Sequence, residues 1–352
     1  MKYGIKSTFN NTDNTISFST SDEINNGIDL ESLPIGNYYI LLKVTYSNSE
    51  IKYYSLANAS EYNSISYYTI TKNNCNNEIN IMFDIYNDTP YMSINVANAE
   101  SLPSNVYDIA IDPGHGGLDT GAKSGEYKES DIVLQCALDL KNKLENLGLK
   151  VFISRDGSES PKEDTANNLY DDNGRINILN ESRAKLLISL HVNSNKPKSQ
   201  KGGVEVYAPS NCNLDFATLL AKNITEKANT YYSEVSSFKK ADGVYVRNFN
   251  NAEISAWKTK ANKGNYEPYN ITTSTSYHYI IRETGGICTN AFIDGRNTSY
   301  GKNKYYNSNV GIESYMIELG YMLVESDLNN ILSNYASYME AISQSIKSLY
   351  DL

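Results

Sequence analysis

From Val106 to Leu352, short apolar runs alternate with stretches whose apolar residues recur at steps of about 3.6 residues. Few folds accommodate that alternation. Residues 106–111 read as a strand, and Ile132, Val133, Cys136, Leu140, Leu144 and Leu147 mark an amphipathic helix that Gly148 can close. Strands follow at 151–154, 186–191, 203–207 and 315–319, with helices at 176–184, 214–231 and 328–349. Strands separated by helices predict an α/β fold, a mostly parallel sheet flanked by helices on both faces. Between Ser233 and Gly311 the periodicity is poor and Asn, Ser, Thr, Tyr and Gly abound. A stretch that long inside a compact domain is more often functional than idle.

The first hundred residues follow a different rule. In 78–86, Ile79, Ile81, Phe83 and Ile85 alternate with Asn80, Met82, Asp84 and Tyr86, the period of a half-buried strand. Residues 39–46, 65–70 and 91–96 are further β-rich runs, with Asn- and Ser-rich turns between them and Pro90 interrupting the last pair. The expectation is a small all-β sandwich or barrel over 1–100, preceding an α/β domain over 104–352.

Composition removes several functions. A formal net charge of −10 leaves no basic stripe for nucleic acid. It also disfavours bulk attraction to anionic lipid, so recognition of a surface would rest on shape and hydrogen bonds. No apolar run approaches the roughly 20 residues of a membrane span, and residues 1–11 lack the apolar core of an export signal. Cys75, Cys136, Cys212 and Cys288 are far apart and form no CxxC pair, which points to free thiols, with Cys136 buried in its helix.

The chain has only three histidines. His115 follows the first α/β strand, in Asp112-Pro113-Gly114-His115-Gly116-Gly117, and His191 ends the strand 186–191. Sites in open α/β sheets gather at the carboxyl ends of strands. Glu129, at the start of the amphipathic helix, can join the two imidazoles as a third metal ligand, leaving one position open. Glu318 lies in an apolar strand, where a carboxylate costs desolvation unless paired or functional. Taken singly, each has a plainer reading: a satisfied histidine, a helix-start charge, half of a buried ion pair. The joint pattern is what points to a hydrolytic metal site. His278 has no role in it.

At these residues the sequence resembles the zinc-dependent N-acetylmuramoyl-L-alanine amidases. The resemblance is carried by Ile109-Ala110-Ile111-Asp112-Pro113-Gly114-His115-Gly116-Gly117 with Asp119 and Gly121, and by Glu129-Ser130. It continues in Ser154-Arg155-Asp156, Arg175, Leu187-Ile188-Ser189-Leu190-His191-Val192-Asn193, Gly203-Val204-Glu205-Val206-Tyr207 and Ile317-Glu318-Leu319-Gly320-Tyr321. It implies that His115, Glu129 and His191 bind Zn²⁺ and that Glu318 is the catalytic carboxylate. The bond cut would join N-acetylmuramic acid to the L-alanine of the stem peptide. Asn193 and Arg282 are candidates for substrate binding; a turn residue is an equally good reading of Asn193. Residues 283–311 look like an insertion ahead of the last strand. The first hundred residues match no wall-binding repeat and can bind glycan, dock a partner or act as a spacer.

The implied protein is a monomeric peptidoglycan hydrolase working outside the cytoplasm. Its role lies among cell separation, spore formation or germination, and phage lysis. Two rivals are a zinc hydrolase of another wall amide, although the HExxH signature is absent, and a non-catalytic wall-binding module on the same fold. The latter would be expected to have lost Glu318 or a ligand, and all four are present.

Overall fold

In a computed structural model of the chain, the residues described are 107–157, 174–182, 184, 186–194, 202–210, 214–264, 271–285, 312–350 and 352, with six strands before them. The chain divides into two units, the boundary falling between Ser104 and Asn105.

The strands of the first unit are β1 (Lys2–Lys6), β2 (Thr15–Thr20), β3 (Gly36–Thr45), β4 (Ile51–Ser55), β5 (Asn77–Tyr86) and β6 (Thr89–Asn98). All their pairings are antiparallel, in the order β2-β1-β3-β6-β5 with β4 also on β3. Pro90 falls within β6, opposite Ile85, where the sequence suggested an interruption. The strand expected over 65–70 lies outside the described residues.

The second unit runs β7 (Ile109–Pro113), β8 (Lys123–Ser124), β9 (Tyr127–Lys128), α1 (Glu129–Asn146), β10 (Val151–Ile153), α2 (Arg175–Glu181), β11 (Leu186–Asn193), β12 (Glu205–Tyr207), α3 (Asp215–Lys227), β13 (Lys239–Ala241), β14 (Val244–Tyr245), α4 (Asn251–Gly264), α5 (Tyr279–Thr284), β15 (Glu313–Tyr321) and α6 (Glu325–Leu349). Its main sheet has the order β10-β7-β11-β15-β12-β14-β13. The first four strands are parallel; β12 then runs antiparallel to β15. The sheet is therefore mixed at one side, where the sequence suggested parallel strands.

Alternation along the central strands assigns the two faces. Ile109, Ile111, Ile188, Leu190, Tyr315 and Ile317 are fully buried on the face that carries α1, α3 and α6. Phe216 of α3, for example, meets Tyr315 edge-on at 5.2 Å. α1 ends as expected: Gly148 has φ 84, its N–H reaches Glu145 O at 2.9 Å, and Leu149 N–H reaches Leu144 O at 3.2 Å, a Schellman closure. On the other face Ala110, Leu187 and Met316 pack with Ile176 and Leu179 of α2 and Ile280 and Ile281 of α5. Two residues further along each strand that face turns polar, with Asp112, Ser189 and Glu318. One face of the sheet thus carries a single buried carboxyl among these central positions, Glu313, and the other is apolar only up to the carboxyl ends of its strands.

The stretch of poor periodicity holds β13, β14, α4 and α5. These elements are short or solvent-facing, so their apolar residues are too few to print a period. Of the segment read as an insertion, Glu283 and Thr284 close α5, and 286–311 lies outside the described residues.

Glu313, at the opposite end of β15 from Glu318, supplies a test of the packing. Burial pushes its carboxyl from an ordinary 4.5 up to about 7, against a hydrogen bond from the Tyr315 hydroxyl. The fold therefore holds the proton more tightly than the unfolded chain does. This group's contribution is full below pH 4.5 and is lost as pH rises to about 7. Glu313→Gln should remove that slope, gaining on the order of 3 kcal/mol over the native chain at pH 8 and little at pH 4. Denaturant unfolding of both chains across that range measures it; parallel pH profiles would contradict it.

Candidate metal centre

The loop after β7 presents His115. Its backbone is left-handed at His115 (φ 60) and again at Gly117 (φ 57), reversing the chain at once. Two buried arginines hold this turn by its carbonyls. Arg155 donates to Pro113 O at 3.1 Å and Gly114 O at 2.9 Å, and Arg175 donates to Pro113 O at 3.0 Å and His115 O at 2.6 Å. Arg175 also pairs with Asp112 at 2.5 Å, and that carboxylate accepts from Ser154 at 2.6 Å and Ser189 at 3.0 Å. Burial alone would raise the Asp112 carboxyl; the Arg175 charge and these donors hold it below the usual range.

Glu129 opens α1, and its Oε1 lies 3.1 Å from His115 Nε2 and 3.0 Å from His191 Nδ1. Val192 N–H donates to the same oxygen at 3.0 Å, and Ala122 N–H donates to Oε2 at 2.8 Å. Burial would raise this carboxyl, but the two imidazoles hold it far below the carboxylate range. Burial would lower His115, but Glu129 and then Asp119 outweigh it and bring the imidazole to about 9. The rings of His115 and His191 stand edge-on at 5.0 Å. One ligand atom from each of the three residues lies within 4.8 Å of the other two. Donors from three separate segments, two imidazoles and one carboxylate, form a set that can hold a divalent cation.

Two glycines make this convergence possible. A Cβ at Gly114 would lie 2.2 Å from Cε1 of His191. One at Gly121 (φ 61) would lie 2.6 Å from Oε2 of Glu129 and 2.7 Å from Cδ2 of His115.

Glu318 lies beside His191 on the neighbouring strand, the two being register partners. Its side chain is half-buried, and Oε2 is enclosed with no hydrogen-bond partner among the described residues. Burial, then the charges of Glu129 and Glu205, push its carboxyl well above the usual range. Glu205 is the register partner of Glu318 on the other side. It accepts from Ser233 at 2.6 Å, from Tyr207 at 2.8 Å, from Asn193 at 3.2 Å and from the Tyr321 hydroxyl. Two carboxyls thus stand side by side, one bonded on both oxygens and one left with an enclosed oxygen.

Residues 109–348 match the family described as N-acetylmuramoyl-L-alanine amidase. The chain belongs to this family. Among curated relatives, the germination-specific N-acetylmuramoyl-L-alanine amidase of Bacillus subtilis (strain 168) is 32% identical over 112 residues, 30% of this chain and 47% of that protein. The N-acetylmuramoyl-L-alanine amidase AmiA of Escherichia coli (strain K12) is 35% identical over 137 residues, 38% of this chain and 42% of that protein. The chain thus spans less than half the length of these relatives. Among solved structures, N-acetylmuramoyl-L-alanine amidase AmiC2 of Nostoc punctiforme superimposes with a TM-score of 0.45 at 18% identity, over 71% of this chain and all of that one.

Within this amidase-family domain the structure brings His115, Glu129 and His191 together and sets Glu318 next to His191. Asn193 is two residues beyond, its amide turned to Glu205. Arg282 is buried on α5. It donates to Glu283 at 3.0 Å, to Ser276 O at 3.3 Å and to Tyr277 O, holding the turn before that helix. The sequence assigned no task to Asp119, whose carboxylate accepts a hydrogen bond from His115 Nδ1 at 2.7 Å and fixes its ring. Its spacing of four from His115 was the available signal. Arg155, Arg175 and Glu205 stood in the quoted motifs, but only the fold shows what they hold.

Proposed function

We propose that this chain is a zinc-dependent N-acetylmuramoyl-L-alanine amidase, hydrolysing the amide between N-acetylmuramic acid and the first L-alanine of peptidoglycan stem peptides. The observation that carries this reading is the meeting of His115, Glu129 and His191 within 4.8 Å, with Glu318 as the register partner of His191. His115, Glu129 and His191 would hold the ion, Asp119 setting the tautomer of His115. When bound, zinc supplies Lewis acidity toward the substrate carbonyl and acidifies water. Glu318 takes the proton from the attacking water and returns it to the nitrogen as the C–N bond breaks. Burial, then the charges of Glu129 and Glu205, keep its carboxyl basic. Asn193 lines the same edge and is proposed to contact substrate. Any part of Arg282 in substrate binding would act through the turn that it holds.

The substrate places the protein outside the cytoplasm, at the wall. No helix of the described residues is long and apolar enough to cross a membrane. The β-rich residues 1–100 are proposed as an accessory unit that binds wall or a protein partner.

Purified chain should release new L-alanine amino termini from peptidoglycan, read by mass spectrometry of the products. A chelator should stop the release and zinc restore it. Cleavage at another bond, or turnover untouched by chelation, would overturn this reading. Gly114→Ala should weaken zinc binding about 10–100-fold, the scale of a misoriented ligand, because the new methyl group occupies the place of the His191 ring. Competition with a chromogenic chelator measures it; unchanged affinity would mean that His191 is not a ligand.

A further inference from the structure

His278 lies immediately before α5 and does not cap it with its side chain. Its ring stands edge-on to Tyr207 at 4.5 Å and to the exposed Tyr277 at 5.7 Å. The Tyr207 hydroxyl is the one that donates to Glu205, next to Glu318. Beyond Tyr277 the same wall continues with Arg247, stacked on Tyr277 at 3.8 Å and on Phe238 at 4.4 Å, its charge balanced by Glu253. A run of planar groups therefore leads from Glu205, beside Glu318, to the surface, with one polar imidazole set within it.

That imidazole is unexplained by the fold. Its Nε2 is enclosed and meets no hydrogen-bond partner among the described residues. Enclosed polar atoms are ordinarily bonded, and leaving one without a partner costs free energy. The ring is neutral: burial drives it down to about 3, with His191, Arg247 and Arg282 adding to the effect. A neutral imidazole offers one donor and one acceptor and attracts no counter-ion. Its natural ligand is an uncharged polar group.

We propose that His278 is a substrate-binding residue, hydrogen-bonding an amide or hydroxyl of the muropeptide along the wall formed by Tyr207 and Tyr277. This rests on the amidase reading above. The contact is made outside the reacting bond, so it contributes alike to substrate and transition state and acts on KM rather than kcat.

The test uses the zinc-loaded full chain and three soluble substrates: a disaccharide tripeptide, the same without its terminal sugar, and the same with the stem cut to L-alanine. His278→Phe keeps the ring stacking and removes the hydrogen bond. It should raise KM about tenfold, with kcat and zinc content unchanged and a melting temperature no lower than that of the native chain, because the unpartnered Nε2 is gone. His278→Gln, which keeps a donor and an acceptor, should recover most of the loss. The substrate on which the penalty disappears names the bonded group; a penalty on all three places it in the muramoyl-alanine core. A wild-type KM for His278→Phe, or equal losses in both variants, would overturn the proposal. Wild-type chain that cleaves none of the three would instead count against the amidase reading, and is checked first.

Discussion

Glu318→Gln should lower kcat by about 10²–10⁴-fold, the range for loss of a positioned general base, and leave zinc content intact. The ligand atoms belong to His115, Glu129 and His191, and Glu318 is not among them. The change is isosteric, so no cavity accompanies it. The same variant should also be more stable than the native chain in the metal-free state. Burial and two nearby carboxylates raise the Glu318 carboxyl above its usual range, so the fold favours the protonated form. The stability linked to this group is full below its unfolded pKa and falls as pH rises. Glutamine has no charge to desolvate, so its advantage should grow with pH. A rate that collapses while the melting temperature climbs separates a catalytic carboxyl from a structural one. Turnover at the native rate would remove Glu318 from the mechanism, and loss of zinc would make it a ligand.

The α/β domain was legible because its buried strands and amphipathic helices impose strong periods. His115, His191 and Glu318 were legible because histidine is rare here and a carboxylate in an apolar strand is costly, and Glu129 only from its place at a helix start in the joint pattern. β12 could not be oriented from sequence, since Glu205, Val206 and Tyr207 satisfy parallel and antiparallel pairing alike. The elements between Ser233 and Gly285 were missed for the opposite reason. α4 is fourteen residues long but exposes most of its described side chains, and β13 and β14 have three and two residues. His278 illustrates the remaining gap. In sequence it is one histidine in a polar stretch, and only the fold sets it against Tyr207, whose hydroxyl donates to Glu205 beside Glu318.

Arg175→Met should cost on the order of 3–5 kcal/mol of stability, the scale for removing one partner of a buried ion pair. Arg175 and Asp112 are 0% and 1% exposed, so water cannot replace the lost partner. Methionine fills much of the volume but leaves Asp112 with two serine hydroxyls, and leaves Pro113 O and His115 O without their Arg175 donors. For a domain of this size the melting temperature should fall by roughly 10 °C. The pH dependence should change sign. In the native chain Arg175 holds the Asp112 carboxyl below its ordinary 3.8, so this pair stabilises above that pH and fades in acid. Without the arginine, burial dominates and raises the carboxyl, so the variant should lose least near pH 4 and most near pH 8. Asp112→Asn in the same chain removes the stranded charge and should recover part of the loss. Zinc affinity should not recover with it, because the carbonyl clamp that sets His115 remains broken. Calorimetry and zinc titration on the single and double variants read the two effects separately. If Arg175→Met melts at the native temperature, the clamp contributes nothing; if zinc affinity returns with Asp112→Asn, His115 is placed by the charge pair and not by its carbonyl.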